Sequence, residues 1–178
     1  MMKVTSLDLF AGIGGMRIGL EKALKKYRFK HECVMASDID KYAKETYLNN
    51  FPSTPFIGDV SGLNNENKIK KIIPKHNLLL AGFPCQPFSR AGHKKGLEDT
   101  RGTLFYYIAK ILSNKKPDAF ILENVRGLKE HDEGKTLEIM LKVLRKKYFV
   151  PDPKVLNSKD FGLPQNRARI FIVGIRKD

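Results

Sequence analysis

Cysteine is scarce in this chain. Cys33 and Cys85 are the only two in 178 residues, and the four histidines, His31, His76, His93 and His131, stand at no ligand spacing from them or from one another. Two thiols cannot by themselves make a four-ligand zinc site, so no metal centre is expected. Long apolar runs are also lacking. No stretch approaches the roughly 20 residues that cross a bilayer, and the N-terminus reaches Asp8 too early for a signal peptide. These absences point to a cytoplasmic protein with no membrane partner, in a reducing setting where a disulfide is not expected. Acidic side chains are the scarcer charge, 19 against 33 lysines and arginines, for a formal net charge of +14. Such an excess favours a polyanion, nucleic acid first, because each neutralised phosphate releases counterions. The basic runs at 25–26, 70–71, 115–116 and 145–147 also fall at the ends of apparent helices, where lysine suits the helix dipole. Charge alone leaves both readings open.

No repeat, low-complexity segment or linker divides the sequence, and 42% hydrophobic with 29% charged residues suits one globular domain spanning 1–178. Short apolar stretches at 3–10, 33–37, 54–57, 78–81, 119–122, 154–157 and 170–175 read as strands. Between them, helical spacing marks 16–27, 40–50, 103–113 and 134–148, with a lysine-rich helix or turn at 66–73. Alternation of this kind predicts an α/β fold: a mainly parallel twisted sheet with helices on both faces. Functional residues should gather at the strands' carboxyl ends.

Each candidate motif falls at or just after such an end. Phe10-Ala11-Gly12-Ile13-Gly14-Gly15 hands the first strand to the first helix, so a ligand can approach bare backbone at a helix N-terminus. The spacing is not Gly-x-Gly-x-x-Gly, which argues against a dinucleotide and leaves room for a ligand bearing a carboxylate. Asp38 follows the second strand about 24 residues beyond Gly14, near the ~20-residue separation at which an acid meets ribose hydroxyls. The helix N-cap role suits Asp40 better. Ile39 could cover an adenine face or belong to the core. Asp59, after Gly58, could accept from an adenine amino group or close an ordinary turn.

Cys85 sits between Pro84 and Gln86-Pro87, and prolines cannot donate to a sheet ladder, so this thiol lies beyond its strand. Arg90, His93, Lys94 and Lys95 follow closely and favour a reactive thiolate. Cys33, inside a strand, reads as a small buried hydrophobe. Glu123 follows Phe120-Ile121-Leu122, where an acid is costly unless paired, solvated or neutral. Arg167 and Arg169 are two apart and share one side of an extended segment.

Five of these segments, in order, resemble the DNA (cytosine-5) methyltransferase family: DLFAGIGGMRIGLE, GFPCQPFS, RGTLF, ENV and QNRAR. The resemblance implies a Rossmann-like methyltransferase fold and S-adenosylmethionine as cofactor, held by Phe10, Gly12, Ile13, Gly14, Gly15, Asp38, Ile39, Asp59, Val60, Pro84 and Leu104. It implies that Cys85 attacks C6 of a flipped-out cytosine in double-stranded DNA and that Glu123 stabilises or protonates N3. Arg169, helped by Arg167, would hold the base oxygen or a phosphate, and Asn124 would order Glu123 and the 84–85 segment. Gln86, Ser89 and Arg90 would touch DNA, with the loop 89–101 closing over it.

Members of that family continue past the arginine motif into a target-recognition domain and a segment that returns to the cofactor pocket. The expectation is therefore a catalytic part that calls on a second polypeptide or a further segment for specificity and full activity. A tRNA (cytosine-5) methyltransferase and a non-catalytic DNA- or cofactor-binding remnant are the alternatives.

Overall fold

The computed structural model describes residues 2–84 and 103–177. β1 (Lys3–Leu9), β2 (Lys30–Ser37), β3 (Phe56–Ile57), β4 (Leu78–Gly82) and β5 (Ala119–Val125) run parallel. β8 (Ala168–Arg176) lies antiparallel to β5 and carries β6 (Tyr148–Phe149) and β7 (Lys154–Asn157) antiparallel along its other edge. The order is 3-2-1-4-5-8-6, with β7 beside β6 on β8. The sheet is thus mainly parallel, as the alternation of elements predicts. Its chain order reverses between β1 and β4, where open α/β sheets bind ligands.

Helices α3 (Glu66–Ile72), α4 (Leu104–Lys115) and α5 (Lys135–Arg145) cover one face. Ile69, Ile108, Ile111, Leu112 and Met140 pack there on Leu7, Leu9, Leu79, Phe120, Leu122, Ile170 and Ile172, all buried. Each such side chain contributes about 1.5–3 kcal/mol. On the other face α1 (Gly15–Lys26) and α2 (Lys41–Asn50) stand over β1 and β2, where Tyr47 meets Cys33 and Ala36. Cys33 is buried, as its place inside β2 implies, and burial pushes its thiol pKa up. Beyond α1 this second face is open among the described residues. Ile121, Phe171 and Val173 form a bare floor that no helix among the described residues covers. Parallel strands ordinarily bury both faces.

The element boundaries differ from expectation where tertiary contacts decide. The helix predicted to reach 148 stops at Arg145, because Tyr148 packs edge-on against Phe120 and its hydroxyl donates to the carbonyls of Leu112 and Pro117. A short strand replaces its last turn. β5 takes in Glu123 and Asn124 at its end, as expected, and runs one residue further to Val125, whereas β8 starts at Ala168, so Arg169 lies within that strand rather than before it. No helix among the described residues is long and apolar enough to cross a membrane.

Candidate active site

Past Leu9 the backbone leaves the sheet through three left-handed residues, Phe10 at φ +53, Gly12 at +54 and Gly14 at +91. The turn is braced from β2: Ala11 N–H donates to the Ser37 carbonyl at 2.9 Å, and Gly12 N–H donates to Asp38 Oδ2 at 2.7 Å. Asp38 Oδ1 accepts from Asp40 N–H at 2.9 Å. The acid expected at ribose hydroxyls is therefore seen to fix the glycine turn, with lone pairs left on both oxygens. Asp40 caps α2, accepting from the N–H groups of Tyr42 and Ala43.

The glycines divide their work. A Cβ placed on Gly12 or Gly15 would meet nothing within 4 Å, so both open onto free space at the start of α1. Gly14 faces the other way, where a Cβ would lie 2.6 Å from the Phe51 ring. It allows α1 to approach α2, whereas Gly12 and Gly15 leave room for a ligand.

That space is a cleft of about 1440 Å³, larger than the ~300–1,000 Å³ usual for one small ligand. Phe10, Gly12, Ile13, Gly15, Asp38, Ile39, Asp59, Val60, Pro84 and Leu104 line it, and Gly14 does not. Ile39 is 79% exposed, so it presents an apolar surface to the cleft and takes no part in the core. Asp59 caps the turn Val60–Gly62, accepting from the N–H and hydroxyl of Ser61. The sheet end of the same cleft holds Glu123, Arg167 and Arg169.

Glu123 is paired. Arg169 Nε donates to Glu123 Oε1 at 2.9 Å, with the two side chains only 23% and 19% exposed. The antiparallel register sets Glu123 opposite Phe171 and Arg169 one step diagonal on the same face. Arg169 also donates to the Ala168 carbonyl. Arg167 is exposed, held through its backbone by Asn157 and Ser158. Asn124 is buried and donates to the Phe83 carbonyl at 2.9 Å, which ties β5 to the chain entering Pro84. Cys85, Gln86, Ser89 and Arg90, with the loop 89–101, lie outside the described residues.

Sequence reasoning passed over Asp8, a buried acid next to the end of β1 that also lines the cleft. Its signal was available: Ser6 and Asp8 alternate with Leu7 and Leu9, which gives β1 a polar face. Tyr47 hydroxyl donates to Asp8 Oδ2 at 3.2 Å. Arg17 in turn reaches Tyr47 and Thr54, pairs with Glu21 at 2.8 Å and stacks over Phe51. Burial raises the Asp8 pKa to about 7, against lowering by the Tyr47 hydrogen bond and the Arg17 charge. The folded chain then holds this proton where the unfolded chain has released it, between about pH 4 and 7. Stability from Asp8 is full below that window and is lost as pH rises through it. The expected slope is up to ~1.4 kcal/mol per pH unit. Urea unfolding at pH 5, 6 and 7 should show a falling midpoint, and Asp8→Asn should flatten that fall.

The sequence model of the C-5 cytosine-specific DNA methylases matches residues 4–178. The chain belongs to this family. It is similar to the Type II methyltransferase M.BanI of Aneurinibacillus aneurinilyticus, 49% identical over 98% of this chain and 39% of that protein. It is likewise similar to the Type II methyltransferase M.NlaX of Neisseria lactamica, 51% identical over 94% of this chain and 51% of that one. The chain thus spans about half or less of these curated relatives. Among solved structures it resembles the S. pombe Dnmt2 methyltransferase, with a TM-score of 0.73 and 30% identity over 97% of this chain and 51% of the other.

Within the methylase family fold, the braced glycine turn and the glutamate–arginine pair come from segments far apart in sequence and open onto one cleft. The chemistry available to this methylase chain follows from that junction. One end suits a nucleoside with a charged tail. The other offers a carboxylate oxygen, Oε2, and two guanidinium groups to a polar ring.

Proposed function

We propose that this chain is the catalytic part of a DNA (cytosine-5) methyltransferase that acts on a base turned out of the duplex. The observation that carries the reading is the shared cleft: Asp38 and the glycine turn at one end, Glu123 paired with Arg169 at the other, and Pro84 on the rim. The donor set fits S-adenosylmethionine. Open space at Gly12 and Gly15 beside the α1 N-terminus suits its carboxylate, Asp38 its ribose, and exposed Ile39 its adenine. When bound, that cofactor supplies an electrophilic methyl group on a sulfonium.

The chain's own groups then act on cytosine. The Cys85 thiolate adds to C6, forming a carbon–sulfur bond and moving the ring electrons toward N3 and C5. N3 gains a proton relayed from solvent through Glu123 Oε2, the oxygen not taken by Arg169, and the carboxylate left behind then accepts a hydrogen bond from N3–H and stabilises the adduct. Arg169 keeps the carboxylate in place while Arg167 reaches the base oxygen or a phosphate. Asn124, through Phe83, fixes the direction in which the chain enters the nucleophile segment. With the methyl carbon bonded to C5, loss of the C5 proton to solvent water, elimination of the thiolate and return of the N3 proton restore the C5–C6 double bond and free the enzyme. A base inside a duplex hides C6, so the base must leave the stack.

Base recognition and full activity, in this reading, draw on protein beyond these residues, in the same chain or a second one. The bare floor of Ile121, Phe171 and Val173 supports that, as does the half-length match to the curated relatives. Titration calorimetry tests the cofactor end. Saturable binding of S-adenosylmethionine is expected, weakened at least tenfold by Asp38→Ala, which removes both the ribose acceptor and the turn's brace. Absence of binding in the native assembly would overturn the reading. Greater methyl incorporation into tRNA than into duplex DNA would transfer it to RNA.

A further inference from the structure

We propose that the amino-terminal edge of the sheet, opposite the candidate active site, is a second binding surface for the phosphate backbone of duplex DNA. The inference rests on the DNA reading above. The described part of the active-site edge is not where the +14 charge resides, since Asp38, Asp40, Asp59 and Glu123 offset Arg167 and Arg169 there. The excess collects at the far edge, where α3, α4 and α5 all end.

Hydrogen bonds show that these basic ends form one continuous surface. Lys115, closing α4, donates to the Lys70 carbonyl near the end of α3 at 2.9 Å. Its ammonium also feels the Lys70 charge, and burial and that charge lower its pKa. Lys147, just past α5, donates to Ser113 Oγ at 2.9 Å, and Lys177 donates to the Arg145 carbonyl at 2.7 Å. Arg176 donates to the Lys116 carbonyl at 3.1 Å. The surface therefore runs from α3 across α4 to α5 and the end of β8.

Helix capping explains part of this charge and leaves the rest. Lys115, Lys147 and Lys177 satisfy terminal carbonyls, a structural role. Arg145 pairs with Asp152 and Arg176 with Asp118. Exposed Lys71, Lys75, Lys116 and Lys146 have no side-chain hydrogen bond or ion pair among the described residues. Four unpaired ammonium groups on a rim already rich in cations repel one another and gain by meeting phosphates. β5, seven residues long, separates the two edges by ~23 Å, well beyond the ~10 Å Debye length. A duplex engaged at the cleft therefore leaves this rim free for a second stretch of DNA.

The test uses Lys71→Gln/Lys75→Gln/Lys116→Gln/Lys146→Gln, compared with a control of equal charge change away from the carboxyl ends of the helices, Lys22→Gln/Lys44→Gln/Lys135→Gln/Lys154→Gln. Binding to a long duplex of arbitrary sequence is measured without cofactor across a salt series. The rim variant should lose at least about tenfold in affinity at low salt. Its slope of log K against log salt should become shallower by up to about 3.6, near 0.9 for each of the four phosphates that are no longer neutralised. The control should keep the parent slope. Methyl transfer to a target duplex of about a dozen base pairs should be equal in all three proteins, which separates failure of the rim from failure of the cleft. Equal slopes for the rim variant and the parent would overturn the proposal, as would equal losses in both variants.

Discussion

Glu123→Gln should lower the rate of methyl transfer by about 10²–10⁴-fold while leaving the affinity for S-adenosylmethionine within about twofold. The substitution keeps the size of the side chain and leaves the glycine turn and Asp38 untouched, so the cofactor end of the cleft is unaltered. It removes the charge that meets a proton on N3, and with it the group that makes attack at C6 favourable. It also releases Arg169, whose Nε bond to Oε1 fixes the carboxylate. An amide presenting its NH₂ to Arg169 would turn away from that position. A second signature is expected in the kinetics: kcat should fall far more than KM rises, because the missing interaction is made in the transition state. Rapid-quench single-turnover measurements separate that step from product release.

Cys85→Ala should reduce methyl transfer below detection. Where a nucleophile has been removed from a covalent mechanism, the loss in kcat has been on the order of 10⁶. Alanine changes little else, since it removes only the sulfur and Asn124 still holds the chain at Phe83. Binding of duplex and cofactor should therefore persist in this variant. An enzyme that used Glu123 alone to activate the ring would retain measurable turnover.

The parts of the site legible in the sequence are those built locally. A strand running into Gly12, Gly14 and Gly15 and then a helical pattern is short-range chemistry, and Asp40 before 41–50 is an N-cap recognised by residue type. The pairing of Glu123 with Arg169 is different in kind. The two are 46 residues apart and meet through the antiparallel register of β5 and β8, which no local pattern sets. Periodicity likewise does not show that Gly14 faces Phe51 while Gly12 and Gly15 face open space. β6 reads as the end of the preceding helix because its reason for existing, Tyr148 on Phe120, is a tertiary interaction. Asp8 is the opposite case. Its alternation with Leu7 and Leu9 is in plain view, but polar faces of central strands are unusual enough to be overlooked.

Attack of Cys85 on a cytosine ring in DNA is tested most directly by trapping the adduct on duplex DNA containing 5-fluorocytosine at the methylated position, where fluorine blocks loss of the C5 proton. The protein, purified in its native assembly and given S-adenosylmethionine, should form a complex with this duplex that survives denaturing electrophoresis, with the base mapped to Cys85 by mass spectrometry. Cys85→Ala should form none. A trapped complex that persists in Cys85→Ala would contradict this mechanism, as would sustained methylation of unmodified duplex without any trapped species on the fluorinated one.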